Sequence, residues 1–266
     1  MDLKLEGKVA IVTGAGNGIG RGIALGLAAE GATVVAADLN AGDAERVVAE
    51  IVAQGGKGLA LQTDATAEAA VSAMVAQSLA AFGQIDILVN NVGGGVDPEL
   101  LVNLSVAEWD RAMAVNLRSV FLCSSAVARE MMPRRQGSII SISSISGKLG
   151  ESLMGPYCAG KFGVIGLTQV LAKELGRYGI TVNAVCPGYV WTPGWENIAR
   201  VLRANYTTLA EKSTEQIFQE RVRATVPLGR PQTAEEIAGL VAFLASAQAR
   251  SITGQAINVD GGAVMH

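Results

Sequence analysis

The stretch that decides the fold is Lys8-Val-Ala-Ile-Val-Thr-Gly-Ala-Gly-Asn-Gly-Ile-Gly20, near the start of the chain. Its first half is a short apolar, β-branched run, which is typical of a strand buried on both faces. Its second half is rich in glycine and leads into an alanine-rich helical pattern. A buried strand, a glycine turn and a helix in this order predict the first unit of an α/β fold with a parallel sheet.

Similar apolar runs recur along the chain and alternate with helical patterns. The further predicted strands are Thr33–Asp38, Gly58–Gln62, Asp86–Asn90, Ser138–Ile142, Thr181–Val185 and Gln255–Val259. The predicted helices cover residues 18–30, 42–54, 67–82, 106–132, 155–177 and 233–246. We therefore expect a single-domain, Rossmann-type doubly wound parallel sheet over residues 1–266, with about seven strands and helices on both faces. Residues 189–228 show no strand pattern, and such a long insertion predicts a lid over a substrate.

The composition limits the kinds of partner and of chemistry. A net charge of −3 and a pI near 5.3 give no electrostatic reason to expect nucleic acid or a membrane as partner. The chain has no long apolar run and no signal-peptide pattern, so we expect a cytoplasmic protein that acts on a small molecule. The only histidine is His266, which argues against a Ser-His-Asp hydrolase and a His-ligated metal site. We expect no bound metal.

The glycine loop and the next strand predict a dinucleotide site. Gly14, Gly18 and Gly20 lack Cβ atoms where backbone N–H groups and a helix N-terminus would approach a pyrophosphate. Asp38 follows at the spacing of an acidic group that accepts hydrogen bonds from the adenosine ribose hydroxyls and repels a 2′-phosphate. Its neighbour Leu39 and the loop residue Asn17 are uncharged, so NAD is expected rather than NADP. The alternative is that Asp38 only caps the following helix.

Two further segments fall at the carboxyl ends of predicted strands, where ligands bind in such sheets. Asp64 would accept a hydrogen bond from the adenine amino group, although an aspartate in a surface turn is nearly as plausible. The run Asn90-Asn91-Val92-Gly93-Gly94-Gly95 closes the fourth strand with two amides and three glycines. Its alternative, a flexible loop with an Asn cap, leaves the three glycines unexplained.

Tyr157 and Lys161 are four residues apart, so they share one face of a predicted helix. An ammonium about 4 Å from a tyrosine is worth on the order of 4 kcal/mol at an effective dielectric of 20. We therefore expect Lys161 to lower the pKa of Tyr157, and Tyr157 to transfer a proton. Serine hydroxyls just upstream would hold the substrate oxygen.

With this order of motifs, the whole chain resembles the short-chain dehydrogenases/reductases. The family's glycine motif matches Thr13, Gly14, Gly18 and Gly20, and its Asn-Asn-Ala-Gly element matches Asn90–Gly93 with Val92 replacing alanine. The resemblance implies that Ser144, thirteen residues before the tyrosine, orients the substrate oxygen. It also implies that Tyr157 exchanges the proton, that Lys161 grips the nicotinamide ribose, and that the backbone of Asn116 holds a water chain.

The resemblance implies further contacts to both ligands and an assembly. The remaining cofactor-binding candidates, from this resemblance and from the loops above, are Ile19, Ala65, Asn91, Val92, Gly93, Pro187, Gly188, Val190 and Thr192. The substrate candidates are Gly94, Gly95, Ser144, Ser146, Leu149, Leu153, Met154, Tyr189, Trp191 and Trp195. The segment Gly254–Gly262 is similar to one that packs between subunits, so we expect a homotetramer.

The expected activity is hydride transfer between NAD and a secondary alcohol or ketone, with a polyol, sugar or diol favoured because Thr192–Glu196 looks like such members of the family. One alternative is an NADPH-linked 3-oxoacyl carrier-protein reductase. The aromatic lid equally allows a hydroxysteroid or another cyclic alcohol. An alternative of another class is a non-catalytic dinucleotide sensor.

Overall fold

The computed structural model describes residues 3–94 and 97–266. Its sheet has seven parallel strands in the order β3-β2-β1-β4-β5-β6-β7. The strands are β1 Val9–Thr13, β2 Thr33–Asp38, β3 Lys57–Gln62, β4 Ile87–Asn90, β5 Gly137–Ile142, β6 Ile180–Pro187 and β7 Ala256–Val259. The strand order reverses between β1 and β4, and the carboxyl ends of neighbouring strands at such a point form the ligand crevice of this type of sheet. The predicted doubly wound parallel sheet is confirmed.

Helices cover both faces of this sheet. They are α1 Gly18–Ala29, α2 Ala41–Ala53, α3 Glu68–Phe82, α4 Val106–Met113, α5 Ser119–Arg134, α6 Gly155–Leu175, α7 Pro193–Asn205, α8 Thr214–Thr225 and α9 Ala234–Ala245. Alternation along β1 explains the two layers: Ala10 and Val12 belong to the core beneath α1 and α9, whereas Val9 and Ile11 belong to the core beneath α3 and α5. The strand is therefore buried throughout, as its unbroken apolar run predicts.

The predicted helix over residues 106–132 differs from the structure. The chain forms α4, then a π-helical segment at Ala114–Arg118, and then α5, which continues to Arg134. A π-helical turn within a helix often marks a functional site. Here it contains the fully buried Asn116.

The segment predicted as a lid contains α7 and α8 and packs on the end of the sheet. Phe218 and Val222 of α8 form a third apolar cluster with Tyr189, Ile145 and Val264. Within the described residues, no helix is long and apolar enough to cross a membrane.

Candidate active site

Tyr157 and Lys161 lie in the first turns of α6, which has a proline in its first turn. The two side chains face the same side, with the Lys161 Nζ 5.6 Å from the centre of the Tyr157 ring. Lys161 is only 3% exposed, and its Nζ donates a 2.8 Å hydrogen bond to the carbonyl of Ile142 at the end of β5. The lysine thus links the helix to the sheet beside the tyrosine.

Ser144 follows β5 and is hydrogen-bonded to Tyr157. Its Oγ also accepts a 3.1 Å hydrogen bond from the backbone N–H of Ser146, which holds the serine at the start of a short turn. The neighbouring Ser143 points elsewhere, since its Oγ donates to the carbonyl of Lys161 at 2.9 Å. The structure therefore brings Ser144, and not Ser143, together with the tyrosine hydroxyl.

The electrostatics of the pair differ from the sequence-based expectation. Burial raises the pKa of Tyr157 to about 12, with a further rise from Glu151 and an opposing effect of the Ser144 hydrogen bond. Burial also lowers the pKa of Lys161 to about 8. Lys161 is not among the causes of this shift, and its expected effect on the tyrosine pKa stays a prediction. Both groups are desolvated, and the Lys161 Nζ donates to the carbonyl of Ile142.

Asn116 is fully buried and holds the loop that follows β4. Its Oδ1 accepts from the Gly94 N–H at 2.8 Å, and its Nδ2 donates to the carbonyls of Gly94 and Ala112 at 3.1 and 3.0 Å. A Cβ at Gly93 would lie 2.6 Å from the Lys161 Nζ and 3.2 Å from the Asn116 Oδ1. Only a glycine lets this loop pass so close to the lysine. Gly95 lies outside the described residues.

The glycine loop between β1 and α1 fits a pyrophosphate. Gly14 and Gly18 have φ values of +62° and +52°, which favour glycine. A Cβ at Gly20 would collide with the carbonyl of Gly14. The loop opens onto the first turn of α1, where N–H groups have no partner inside the helix and attract anions. Ile19 packs against the core, and Asn17 precedes the helix without capping it through its side chain.

Asn91 ties the glycine loop to β4, because its Nδ2 donates to the carbonyls of Thr13 and Gly14 at 3.1 and 2.9 Å. A Cβ at Gly14 would lie 3.2 Å from a methyl group of Val92, so the valine that replaces the family's alanine contacts the loop. Asn91 therefore does not act as a helix cap. Its side chain binds the end of β4 to the first glycine turn.

Asp38 lies at the end of β2, beside the same loop. Its Oδ2 accepts from the Gly16 N–H at 2.8 Å, and its Oδ1 accepts from the Asn40 N–H at 3.0 Å. The cap of α2 is Asn40, whose side chain accepts from Gly42 and Asp43. Asp38 therefore does not serve as the helix cap.

The other adenosine-side candidates surround this position. Leu39 is 67% exposed, whereas Ala65 is buried. Asp64 accepts hydrogen bonds from the Thr66 hydroxyl and N–H at 2.7 and 2.8 Å, and these bonds lower its pKa. Asp64 is therefore an aspartate that stabilises a turn. Both hydrogen bonds are accepted by Oδ1, so Oδ2 can still accept a hydrogen bond from a ligand.

At the expected nicotinamide end, Pro187 ends β6 and Gly188 turns into the predicted lid. The Gly188 N–H donates to the Val259 carbonyl at 3.0 Å. A Cβ at Gly188 would lie 2.7 Å from the side-chain oxygen of Gln232, so this turn requires glycine. Thr192 caps α7 through its Oγ1 and lies beside Gly18 of the glycine loop. Val190 is buried.

The aromatic substrate candidates form one cluster around Phe218. Trp191, Trp195 and Tyr189 have ring centres 5.0, 5.3 and 6.5 Å from that of Phe218. Tyr189 is only 5% exposed, so its ring belongs to the packing of this segment. Leu149 joins the same cluster. Leu153 and Met154 lead into α6, with Leu153 at a φ of +69°.

Comparison with known proteins agrees with this geometry. A family model described as enoyl-(acyl carrier protein) reductase matches residues 14–264. A 3-oxoacyl-[acyl-carrier-protein] reductase of Synechocystis is 42% identical over 98% of both chains. The chain belongs to the short-chain dehydrogenase/reductase family. It is an oxidoreductase of that family, whose members bind a nicotinamide dinucleotide.

Two solved structures of the family are also similar to this one. Levodione reductase superposes with a TM-score of 0.92 at 34% identity, covering 97% of this chain and 98% of the other. A 7α-hydroxysteroid dehydrogenase complexed with NADH and 7-oxo glycochenodeoxycholic acid gives a TM-score of 0.87 at 35% identity, covering 100% and 97%. The fold and family expectations are thus confirmed.

This short-chain dehydrogenase/reductase also has site residues that the sequence did not indicate. Glu151 accepts a 3.1 Å hydrogen bond from the Ser146 hydroxyl and acts electrostatically on Tyr157. Arg221 of α8 donates to the Tyr189 hydroxyl at 3.4 Å and is also affected by Glu151. The expected apolar substrate side therefore carries a carboxylate and a guanidinium. Their separation in sequence gave no signal that Glu151 acts electrostatically on Arg221.

Two more residues position backbone at the cofactor side. The Gln232 side-chain oxygen accepts from the Tyr189 N–H at 2.9 Å, and the backbone N–H of Gln232 donates to the Tyr189 carbonyl at 2.8 Å. Arg46 of α2 donates to the carbonyl of Gly16 at 2.9 Å. The uncharged residues Asn17 and Leu39 did not indicate this cation, which reaches the glycine loop because α2 folds back over it.

Proposed function

We propose that this protein is an NAD-linked oxidoreductase that interconverts a secondary alcohol and a ketone. The observation that carries the proposal is the convergence of Ser144, Tyr157 and Lys161 at the carboxyl end of β5. Ser144 is hydrogen-bonded to Tyr157, and Lys161 lies beside the tyrosine ring. This constellation transfers a proton to or from an oxygen without a metal or a covalent intermediate.

Each residue has a distinct task in this proposal. Tyr157 exchanges the proton of the substrate oxygen, and Ser144 donates a hydrogen bond that orients this oxygen. Lys161 holds the nicotinamide ribose, and Asn116 keeps the loop after β4 in place through Gly94. When bound, an oxidised nicotinamide would accept hydride and add positive charge beside the tyrosine. That charge would oppose the effect of burial on the tyrosine pKa.

The cofactor is proposed to be NAD because Asp38 presents a carboxylate at the adenosine ribose position. Its hydrogen bonds to the Gly16 and Asn40 N–H groups hold the carboxylate in place. A fixed carboxylate accepts hydrogen bonds from ribose hydroxyls and repels a 2′-phosphate. Asp64, with its Oδ2 acceptor, is proposed to contact the adenine.

The substrate is proposed to be a 3-oxoacyl or 3-hydroxyacyl thioester. The relative that supports this class is the 3-oxoacyl-[acyl-carrier-protein] reductase of Synechocystis, which matches the chain over nearly its whole length. The polyol, sugar or diol expected from the sequence is unconfirmed, and the comparisons favour the alternatives. A cyclic ketone is the second candidate, because the aromatic cluster around Phe218 offers flat surfaces and both similar structures come from enzymes named for cyclic compounds.

We further propose that residues 1–266 act as one domain, with residues 189–228 closing over the substrate. The predicted homotetramer and cytoplasmic location belong to the same proposal. Sedimentation of the purified protein would test the assembly.

Turnover measurements test the proposed function directly. Purified enzyme is assayed with NAD⁺ against 3-hydroxyacyl thioesters, hydroxysteroids, cyclic alcohols and polyols, and with NADH against the corresponding ketones. We expect turnover of thioesters with the wild type and a loss of about 10²–10⁴-fold in kcat with Tyr157→Phe. Tyr178→Phe, whose hydroxyl accepts from Arg177, is the matched control and should retain activity.

The substrates that are turned over distinguish between the proposed functions. Turnover of cyclic alcohols alone would favour the second candidate, and turnover of polyols alone would contradict both thioesters and cyclic compounds. Near-normal kcat in Tyr157→Phe would contradict the proposed role of the tyrosine. Binding of NADH without turnover of any alcohol or ketone would indicate the dinucleotide sensor.

A further inference from the structure

Arg221 lies on α8 next to the residue that joins this helix to the serine turn. It is three residues after Phe218, so the two side chains are neighbours on the helix surface. Phe218 is only 1% exposed and packs in one cluster with Ile145, which directly follows Ser144. The segment predicted as a lid therefore carries a guanidinium beside its contact with the catalytic serine turn.

A hydrogen bond to Tyr189 holds this guanidinium in place. The Arg221 Nε donates to the Tyr189 hydroxyl at 3.4 Å. The Tyr189 side chain is itself buried, and its ring centre lies 5.4 Å from that of Trp195. A guanidinium has five N–H donors, and this bond uses only the one on Nε. Within the described part of the chain, the Arg221 Nη atoms form no hydrogen bond and no ion pair, so they can bind a ligand.

Glu151 acts electrostatically on both Tyr157 and Arg221. Its Oε1 accepts a 3.1 Å hydrogen bond from the Ser146 hydroxyl, in the same serine turn. The pKa of Arg221 is raised mainly by the Tyr189 hydrogen bond and also by Glu151, although burial opposes both. The proton-transferring tyrosine and the guanidinium are therefore both within electrostatic reach of one carboxylate.

The ligand that fits these groups is a neutral carbonyl oxygen. An oxygen at the Arg221 Nη atoms would accept charge-assisted hydrogen bonds. A free carboxylate would accept the same bonds, but the Glu151 carboxylate would repel it. A 3-oxoacyl thioester has a suitable neutral oxygen, because only one methylene separates its thioester carbonyl from the ketone that is reduced.

We propose that Arg221 determines substrate specificity by donating hydrogen bonds from its Nη atoms to the second carbonyl oxygen of a 1,3-dicarbonyl substrate. The ketone then lies at Ser144 and Tyr157, and the second carbonyl lies at α8. Tyr189 positions the guanidinium, and Glu151 disfavours a free carboxylate in place of the thioester. This inference rests on the active site of the proposed function and deepens it, because it names the part of the substrate that is recognised.

The test compares two substrates that differ only in the second carbonyl. One is the 3-oxobutanoyl thioester of N-acetylcysteamine, and the other is the matched thioether ketone, in which a methylene replaces the thioester carbonyl. Both are reduced with NADH. Arg221→Met should lower kcat/KM for the thioester about 10–100-fold and change that for the thioether ketone by little. Arg223→Met, at an exposed position of the same helix, is the matched control and should change neither.

Two further variants separate recognition from a loss of folding. Arg221→Lys keeps the charge and should recover part of the activity towards the thioester. Glu151→Gln removes the repulsion, so it should raise kcat/KM for free 3-oxobutanoate relative to that for the thioester. Because the ratio compares two substrates of one variant, it cancels the effect of Glu151 on the pKa of Tyr157. Thermal unfolding of each variant shows that it is folded.

The results that overturn this inference are distinct from failure of the proposed function. Equal losses for the thioester and the thioether ketone in folded Arg221→Met would leave Arg221 a structural role and overturn the inference. An unchanged ratio in Glu151→Gln would overturn the part assigned to Glu151.

If the wild type reduces neither compound, the proposed function fails and binding decides the inference. Each compound is then titrated into the NAD⁺-bound protein, with the fluorescence of Trp191 and Trp195 as the readout. Both rings lie in the aromatic cluster around Phe218. Weaker binding of the thioester alone in Arg221→Met would support the inference, and unchanged binding would overturn it.

Discussion

The side chain of Asn116 and the backbone of Gly94 form a reciprocal pair of hydrogen bonds, 2.8 Å to the N–H and 3.1 Å from the amide to the carbonyl. Through the fully buried side chain of Asn116, the pair joins the π-helical segment to the loop that follows β4. A buried polar pair of this kind is costly to break, because both backbone groups lose their partners. The catalytic side of the sheet therefore depends on a contact between distant parts of the chain.

Asn116→Ala should destabilise the protein by about 1–3 kcal/mol, since the Gly94 and Ala112 groups would be left without partners. The kcat of the variant should also fall in conditions where the variant is still folded, because the loop beside Lys161 is released. Urea unfolding and kcat measure the two effects. Asn103→Ala removes a hydrogen bond to Glu99 on an exposed turn and should change neither by much. Unchanged stability in Asn116→Ala would contradict the structural role.

Gly20→Ala should reduce NADH affinity by at least about tenfold, equivalent to about 1.4 kcal/mol, because the added Cβ collides with the Gly14 carbonyl. Titration of NADH fluorescence measures the change. Gly239→Ala is the control, since a Cβ at this position in α9 meets nothing within 4 Å. It should stabilise the protein by about 0.5–1 kcal/mol and leave binding unchanged. Unaltered NADH affinity in Gly20→Ala would argue against this loop as the pyrophosphate site.

Glu151→Gln should shift the pH dependence of alcohol oxidation to lower pH. The Glu151 carboxylate raises the pKa of Tyr157, and the phenolate form of Tyr157 is the proposed proton acceptor. Removing the negative charge therefore lowers this pKa and makes more phenolate available at a given alkaline pH. The profile of kcat/KM against pH reports the groups of the free enzyme and checks the shift. Glu174→Gln, at the exposed far end of α6, should leave the profile in place.

Asp86→Asn should reduce stability at neutral pH by about 1–3 kcal/mol and flatten its dependence on acid pH. Burial raises the pKa of Asp86, but the Val9 N–H, the Arg134 guanidinium and Lys8 outweigh it and lower the pKa below its ordinary value. A lowered folded-state pKa contributes stability above the unfolded value of about 4, and this contribution is lost as the pH falls through the folded pKa. Urea unfolding between acid and neutral pH measures it, with exposed Asp110→Asn as control.

Local patterns predicted most of the fold. The unbroken apolar run of β1 indicated a strand buried on both faces, and the helices between the strands indicated a parallel sheet. A single helix was predicted over residues 106–132, and the π-helical segment within it was not foreseen. The spacing of apolar residues does not show at which turn a helix widens to take in an extra residue. The spacing of Tyr157 and Lys161 predicted a shared face, but not the burial that shifts both pKa values.

The sequence by itself determined the doubly wound sheet and the shared helical face of Tyr157 and Lys161, because these follow from spacing within a few residues and from the alternation of strands and helices. The motifs also sufficed to show the resemblance to the family, which in turn implied Ser144. Only the tertiary structure decided that Arg46 reaches Gly16 and that Glu151 acts on Tyr157. Such contacts depend on how helices and loops fold back over the carboxyl ends of the strands. The desolvation that shifts the pKa values of Tyr157 and Lys161 also depends on packing in three dimensions. Side chains that are far apart in the sequence therefore become neighbours in the site.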